Sequence, residues 1–399
     1  MKQDLLLLVH RLPYPPNKGD KIRSWNLFKY LKQHFNIYLG CFIDDPDDWQ
    51  YTATVKSHCQ ETHILELNSK LATLGSFRGF LKNTPLTLPY YHKRSMRTWV
   101  NKTLHENQIQ HIVVFSSSMA QYVEQLEKPA NRIIDFVDID SDKWQQYSNK
   151  CGFPMRQVYS REAKKLRLYE NRVSALFDQS LFVSSQEADL FREMNPSVTE
   201  KVDYFNNGVD IDFFKPDHNY PNPYPDGVQV LVFSGAMDYW ANVDAVTWFA
   251  EHIWPDLNEH NKNIKFYIVG RNPTPQVLKL NHTMGIEVTG TVEDIRPYLS
   301  HANICVAPLR IARGIQNKVL EAMALEKPIL VSAQGYEGIE TSPELCCQIL
   351  NQPDEWVKAI EEWLKNPPEA SFNRSFILKN YHWNNSLLRL NPHLQLPVP

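Results

Sequence analysis

Residues Ala302–Leu325 read ANICVAPLRIARGIQNKVLEAMAL, and the rest of the chain can be laid out around them. Asn303–Leu309 (NICVAPL) is a short apolar run with a proline near its end, the pattern of a buried strand running into a loop. From Gly314 to Leu325 the spacing turns helical, with Ile315, Val319, Ala322 and Met323 on one stripe. Gly314, Lys318 and Glu321 fall on another stripe, at i, i+4 and i+7. A turn without a side chain, a cation and a carboxylate would thus share one face near a helix start. Such a face suits a sugar nucleotide. Bare N–H groups and the positive end of the helix dipole receive a diphosphate. A lysine one turn in adds a full charge, and a carboxylate a turn further accepts hydrogen bonds from ribose hydroxyls. The same spacing also describes a plain amphipathic helix behind a buried strand, with Lys318 and Glu321 a solvated i,i+3 pair.

The longer run Lys318–Ser332, KVLEAMALEKPILVS, resembles the nucleotide-binding segment of GT-B glycosyltransferases of family 4. There a helix bearing L-E-A-M-A is followed by G-[KR]-P and a strand. The resemblance implies that Glu321 is the family's ribose-binding glutamate. The family's other glutamate, eight positions earlier, falls here on Arg313. The chain therefore departs from the E-x7-E pattern, and retaining chemistry assisted by that glutamate is not implied. An extra cation stands instead where diphosphate charge would lie.

Composition narrows the alternatives. A length of 399 residues with 43% hydrophobic content fits a globular protein of two or three domains. Net charge is −3, so no global basic field argues for a nucleic-acid partner. The six cysteines lack C-x-x-C spacing and read as reduced, structural thiols. No signal peptide is seen, and no apolar run approaches the roughly 20 residues of a membrane span. A cytoplasmic protein is expected.

In the first half, Leu5–Val9 (LLLLV) reads as a buried strand and Ile22–Phe35 has helical spacing. Gly19 and Asp20 then lie at the helix start, where Asp20 can cap, and Arg23 sits one turn in. This strand–loop–glycine–helix order resembles the acceptor-side glycine loop of GT-B enzymes, although a plain capped helix fits equally. G-x-G-x-x-G is absent, so no dinucleotide fingerprint is present. Further strands are expected at Ile37–Ile43, His63–Leu67, His111–Phe115 and Ile133–Val137.

The last of these runs into Asp138–Trp144, DIDSDKW. Ligands of open α/β sheets collect at the carboxyl ends of strands, so Asp138 and Lys143 are candidates there. A metal reading is weak, because the loop lacks the EF-hand glycine and terminal glutamate. An aspartate-rich cap on the next helix is the plainer account. FVDIDSDKW resembles the signature of sugar transferases associated with exosortase/PEP-CTERM exopolysaccharide systems, members of the same family that also carry Arg–Gly for Glu–Gly.

Tyr204–Phe214 resembles the N-G-V-D-x-x-x-F hinge of GT-B proteins, and Pro221–Asp226 is a turn-rich linker. Strands at Val228–Phe233, Lys265–Gly270, Ile286–Gly290 and Ile304–Ala307 then restart βα units. In family 4 the turn after the first of these supplies an arginine and a lysine to the diphosphate. Ala236–Asn242 supplies neither, which leaves Arg271 and Arg313 as candidates. Ser371–Leu390 has helical spacing.

The expected fold is GT-B: two Rossmann-like domains with parallel sheets facing across a cleft. Residues 1–205 would form the acceptor side and 206–370 the donor side; 371–399 would be a helix crossing back toward the first domain, and a tail. The implied reaction is sugar transfer from a nucleoside-diphosphate sugar to a glycan or lipid-linked acceptor in exopolysaccharide biosynthesis. It would use no metal and no cofactor beyond that substrate, and a lipid-linked acceptor would bring peripheral contact with the inner membrane. Donor binding falls to Arg271, Arg313, Gly314, Lys318 and Glu321; the acceptor side to Gly19, Asp20, Arg23 and Lys143; acceptor activation to Asp138. A sugar-nucleotide epimerase on the same fold, or a catalytically silent glycan-binding scaffold, are the alternatives.

Overall fold

The computed structural model describes residues 2–126, 130–217, 219–312 and 314–397, and of Lys150 the backbone alone. The chain divides into two compact units, Met1–Asn206 with Leu387–Pro399, and Asn207–Ser386.

The first unit is built on β1 (Gln3–Val9), β2 (Phe35–Ile43), β3 (Glu61–Glu66), β4 (His111–Phe115), β5 (Asn131–Val137), β6 (Gln179–Phe182) and β7 (Val202–Tyr204). They form one parallel sheet in the order β3-β2-β1-β4-β5-β6-β7. A parallel sheet is covered by helices on both faces, and Leu5–Leu8 accordingly have no exposed surface. The Gly19–His34 helix crosses one face and is pinned there by Arg23. Its guanidinium meets Asp135 on β5 through Nε (2.8 Å) and Nη2 (3.1 Å), donates to the Phe205 carbonyl (2.9 Å) and lies 3.5 Å over the Phe205 ring. Both residues of this pair are fully buried, which corrects the acceptor-side reading of Arg23. A cation with its donors spent on the Phe205 and Phe182 carbonyls and a carboxylate inside the sheet layer is a folding anchor. Burial pushes the Asp135 carboxyl up, and the Arg23 charge opposes that rise.

Residues 387–397 complete this unit. Asp203 accepts from Arg389 (3.0 Å), meets His393 Nε2 at 3.0 Å, and Tyr30 hydrogen-bonds Asn391. Burial would raise the Asp203 carboxyl, but His393, the Tyr204 N–H and Arg389 hold it down at about 2. A depressed carboxyl adds stability above its unfolded value of about 4. That stability is lost as pH falls through about 2. The protection factors of amides in Leu388–Leu394, taken relative to intrinsic exchange at each pH, should therefore fall across that window, and unchanged protection there would show that Asp203 does not hold the segment.

The second unit contains β8 (Gln229–Ser234), β9 (Ile264–Val269), β10 (Ile286–Gly290), β11 (Ile304–Ala307), β12 (Ile329–Val331) and β13 (Cys347–Ile349). The parallel order is β10-β9-β8-β11-β12-β13. Both sheets thus reverse strand order beside their first strand, the doubly wound pattern. Tyr224, within the turn-rich Pro221–Asp226 stretch, is buried in this unit and donates to the Tyr298 carbonyl at 2.6 Å. The helical stretch expected over Ser371–Leu390 breaks into Ser371–Asn380, Trp383–Leu387 and a 3-10 turn at Leu388–Leu390. The first piece packs in the second unit, where Asn373 is fully buried and bonds Cys346 and the Lys327 carbonyl.

The helix expected from Gly314 begins at Asn317 and ends at Ala324. Gly314 precedes it with φ +61°, a left-handed conformation outside any helix. At the other end, Lys327 N–H bonds the Ala322 carbonyl and Glu326 N–H the Met323 carbonyl, each at 3.0 Å. That is a Schellman cap with Glu326, φ +57°, in the position glycine usually fills. Glu326→Gly is expected to raise stability by about 1 kcal/mol, since a side chain in this conformation is strained. An unchanged or lower melting temperature would contradict this.

Candidate donor and acceptor sites

In the second unit the switch point lies between β8 and β11, where ligands of open sheets bind beyond the strand ends. Gly235 follows β8 and Gly270 follows β9, and the two backbones run almost in contact. Gly235 N–H donates to the Val269 carbonyl at 3.0 Å. A Cβ built on Gly270 (φ +157°) would stand 1.6 Å from the Gly235 oxygen. One built on Gly235 (φ +156°) would stand 2.7 Å from Asn242 Nδ2 and 3.0 Å from Lys318 Nζ. At the end of β8 the Gly235 backbone, without a side chain of its own, is therefore packed directly against the Asn242 amide and the Lys318 ammonium.

That ammonium is held from below. Lys318 Nζ donates to Asn242 Oδ1 at 2.6 Å and lies 3.9 Å over the Phe233 ring, while Asn242 Nδ2 donates to the Ala236 carbonyl at 2.9 Å. Burial pushes Lys318 well below the ordinary lysine value, and the Glu321 charge partly restores it. Glu321 is pushed up by the same burial and steadied by Lys318. No hydrogen bond from another described residue reaches the Glu321 carboxylate, so its acceptor capacity is open. An incoming diphosphate would favour charged Lys318, and ribose hydroxyls would favour ionised Glu321. Arg271, directly after Gly270, joins the turn through its backbone, accepting Met237 N–H at 2.8 Å. Its half-buried side chain has no ion pair within the described residues.

The structure thus brings Lys318 and Glu321 together on successive turns and places Arg271 on the neighbouring strand end. Gly314 is buried in the loop before their helix rather than on their stripe. Arg313 lies outside the described residues. Asn242 and Phe233, which position Lys318, have no signature of their own; only the fold brings a neutral amide beside that lysine. Arg310, after β11, is paired with Asp244.

In the first unit a polar cluster forms where β1, β4 and β5 end. Asp20 accepts from Arg11 at 2.8 Å and meets His10 Nε2 at 3.2 Å. Burial would raise its carboxyl, yet His10 and Arg11 hold it well below the usual carboxylate range. Asp20 caps nothing: the cap position belongs to Lys18, without a side-chain bond, and Gly19 opens the helix facing open space. Asp138 is half-buried between β5 and the Asp140–Lys150 helix, and Lys143 is exposed on that helix. Asp140 accepts from Ser117 at 3.1 Å, and burial pushes it up against the pull of Lys143 and Ser117. Glu170 accepts Ser141 N–H at 3.0 Å, and burial followed by the charge of Asp140 drives its carboxyl up to about 8. Sequence reasoning missed Glu170, which lies in a long basic helix that shows only its apolar stripe. Among the described residues no group of three His, Cys, Asp or Glu side chains could hold a metal.

Residues 228–366 match the model described as glycosyl transferases group 1. That segment is similar to a glycosyltransferase group 1 module. No curated protein sequence matches the chain significantly. Solved structures agree over the full length. Sucrose-phosphate synthase from Thermosynechococcus elongatus superposes with TM-score 0.72 at 15% identity, covering 98% of both chains. A glycosyltransferase from Rickettsia africae gives 0.67 at 13% identity and 99% of each chain. Anabaena HepE, solved in complex with UDP-glucose, gives 0.68 at 13% identity, with 98% of this chain and 99% of that one. At such identities the likeness fixes the fold, and the fold is GT-B. No described helix is long and apolar enough to cross a membrane.

Proposed function

We propose that this protein transfers a sugar from a nucleoside-diphosphate sugar to a glycan or lipid-linked acceptor, in exopolysaccharide synthesis of the exosortase-associated type. The observation that carries the reading is the bare Gly235 turn backed by Lys318, inside the segment that matches the glycosyltransferase model. A diphosphate laid on that turn would meet the Gly235 backbone with no side chain of its own in the way, next to Lys318, and Arg271 follows on the neighbouring strand end. Arg313 adds a further cation by its place in the sequence. Glu321 would take the ribose hydroxyls.

In the reaction, the bond from the anomeric carbon to the diphosphate breaks as a bond to the acceptor oxygen forms. Charge growing on the leaving diphosphate is stabilised by Lys318, Arg271 and Arg313, electrostatically and without a metal. Asp138 takes the acceptor proton, with Gly19, Asp20 and Lys143 lining the acceptor side. Such chemistry belongs in the cytoplasm, where nucleotide sugars are used.

The test is release of nucleoside diphosphate from a panel of UDP-, GDP- and ADP-sugars, with and without glycan and lipid-linked acceptors. Acceptor-dependent release is the expected result. The absence of cations from Ala236–Asn242, together with Arg313 in the glutamate position, favours one other reading, a silent member that binds glycan. No release with any donor, alongside glycan binding, would establish it and overturn transfer.

A further inference from the structure

The first unit carries a surface that neither reaction step uses. The two most exposed large apolar side chains among the described residues are Leu81 (89%) and Phe153 (81%). Leu71, Leu74, Phe77 and Leu168 are exposed as well. They belong to two segments, 69–87 and 151–168, that are fastened together. Arg161 donates to the Gly79 carbonyl at 2.8 Å and lies 4.6 Å over the Phe80 ring. Glu162 next to it accepts Leu86 N–H (2.7 Å) and Thr87 N–H (3.0 Å). An open concavity of about 830 Å³ runs along the second segment, lined by Phe153, Arg156, Arg161, Lys164, Lys165 and Leu168.

The charge on these segments is one-sided. Residues 69–87 hold Lys70, Arg78 and Lys82 and no acid. Residues 151–168 hold Arg156, Arg161, Lys164, Lys165 and Arg167 against a single acid, Glu162, which is buried and bonded inward. This stands on a chain whose net charge is −3. Exposed leucines and phenylalanines interleaved with unpaid positive charge would be a liability on a surface facing only water. The combination fits a bilayer interface, where apolar side chains enter the acyl boundary and lysines and arginines meet anionic headgroups.

The geometry points to this face as the docking surface for an anionic lipid bilayer, seating the first unit on the membrane through Leu74, Phe77, Leu81 and Phe153 with Lys82, Arg156 and Lys164 around them. The assignment stands apart from the catalytic reading, because binding is measured without donor or acceptor. The experiment is co-sedimentation of the full chain with vesicles of phosphatidylcholine alone and of phosphatidylcholine with phosphatidylglycerol. Binding is expected to the anionic vesicles only, and to weaken as salt is raised. Lys164→Glu and Arg156→Glu should each weaken it roughly fivefold or more. Leu81→Ser with Phe153→Ser should weaken it at least as much, while Lys262→Glu in the second unit should leave it unchanged. These side chains are exposed, so circular dichroism should show every variant folded. No binding to anionic vesicles, equal binding to neutral ones, or equal losses in Lys262→Glu would overturn the assignment. So would a dimer in the absence of vesicles that Leu81→Ser with Phe153→Ser dissolves, which would give the face to a second copy of this chain.

Discussion

Asp135→Ala is expected to destabilise the protein by about 3–5 kcal/mol, because it leaves the Arg23 guanidinium buried without its carboxylate. The carbonyls of Phe205 and Phe182 and the Phe205 ring would remain, but none carries a negative charge. Hydration cannot make up the loss, since Arg23 has no exposed surface. The pair links the first helix to the centre of the sheet, so the cost should fall on cooperative unfolding of the first unit. Exchanging both partners for apolar residues, Arg23→Met with Asp135→Leu, should recover most of the loss, since removing both charges leaves none unpaired. Urea titration reads both variants. A loss below about 1 kcal/mol for Asp135→Ala would mean that the ion pair is not the anchor described and would reopen Arg23 as a site residue.

Gly270→Ala should be nearly as damaging in the second unit, by about 3 kcal/mol. The new Cβ would fall 1.6 Å from the Gly235 oxygen, so backbone rather than a flexible side chain must move. The direction of that movement matters, because Gly235 lies against Asn242 and Lys318. Donor affinity should therefore fall together with stability. Gly290→Ala separates strain from collision: it has φ +69° but open space around its Cβ position. It should cost about 1 kcal/mol and leave donor binding alone. Equal losses in the two variants would show that the close approach of Gly235 and Gly270 has no energetic weight.

Much of the fold was legible because parallel strands buried on both faces appear as unbroken apolar runs, as in LLLLV and HIVVF. β7 and β13 escaped notice because three residues carry no period. The start of the Asn317–Ala324 helix was placed too early because Ile315 sits where a helical stripe would continue, although Gly314 adopts φ +61°. Of the candidate site, the pairing of Lys318 with Glu321 could be read because both lie on one short helix. Arg23 could not. Its partner Asp135 is 112 residues away, and nothing local tells a cation that faces a ligand from one turned into a sheet. Asn242 and Glu170 were hidden for the same reason, since their neighbours come from other elements.

The central claim is that the Gly235 turn and Lys318 receive the donor diphosphate, and calorimetric titration tests it most directly. The parent and Lys318→Ala would each be titrated with the nucleoside-diphosphate sugar that binds best, with Glu326→Ala, in the cap just beyond the same helix, as a control. A charge-assisted contact to phosphate is worth roughly 1.5–3 kcal/mol, so Lys318→Ala should bind about 10- to 150-fold more weakly. Glu326→Ala should bind like the parent. Equal affinity in Lys318→Ala and the parent, with both proteins folded, would contradict the account.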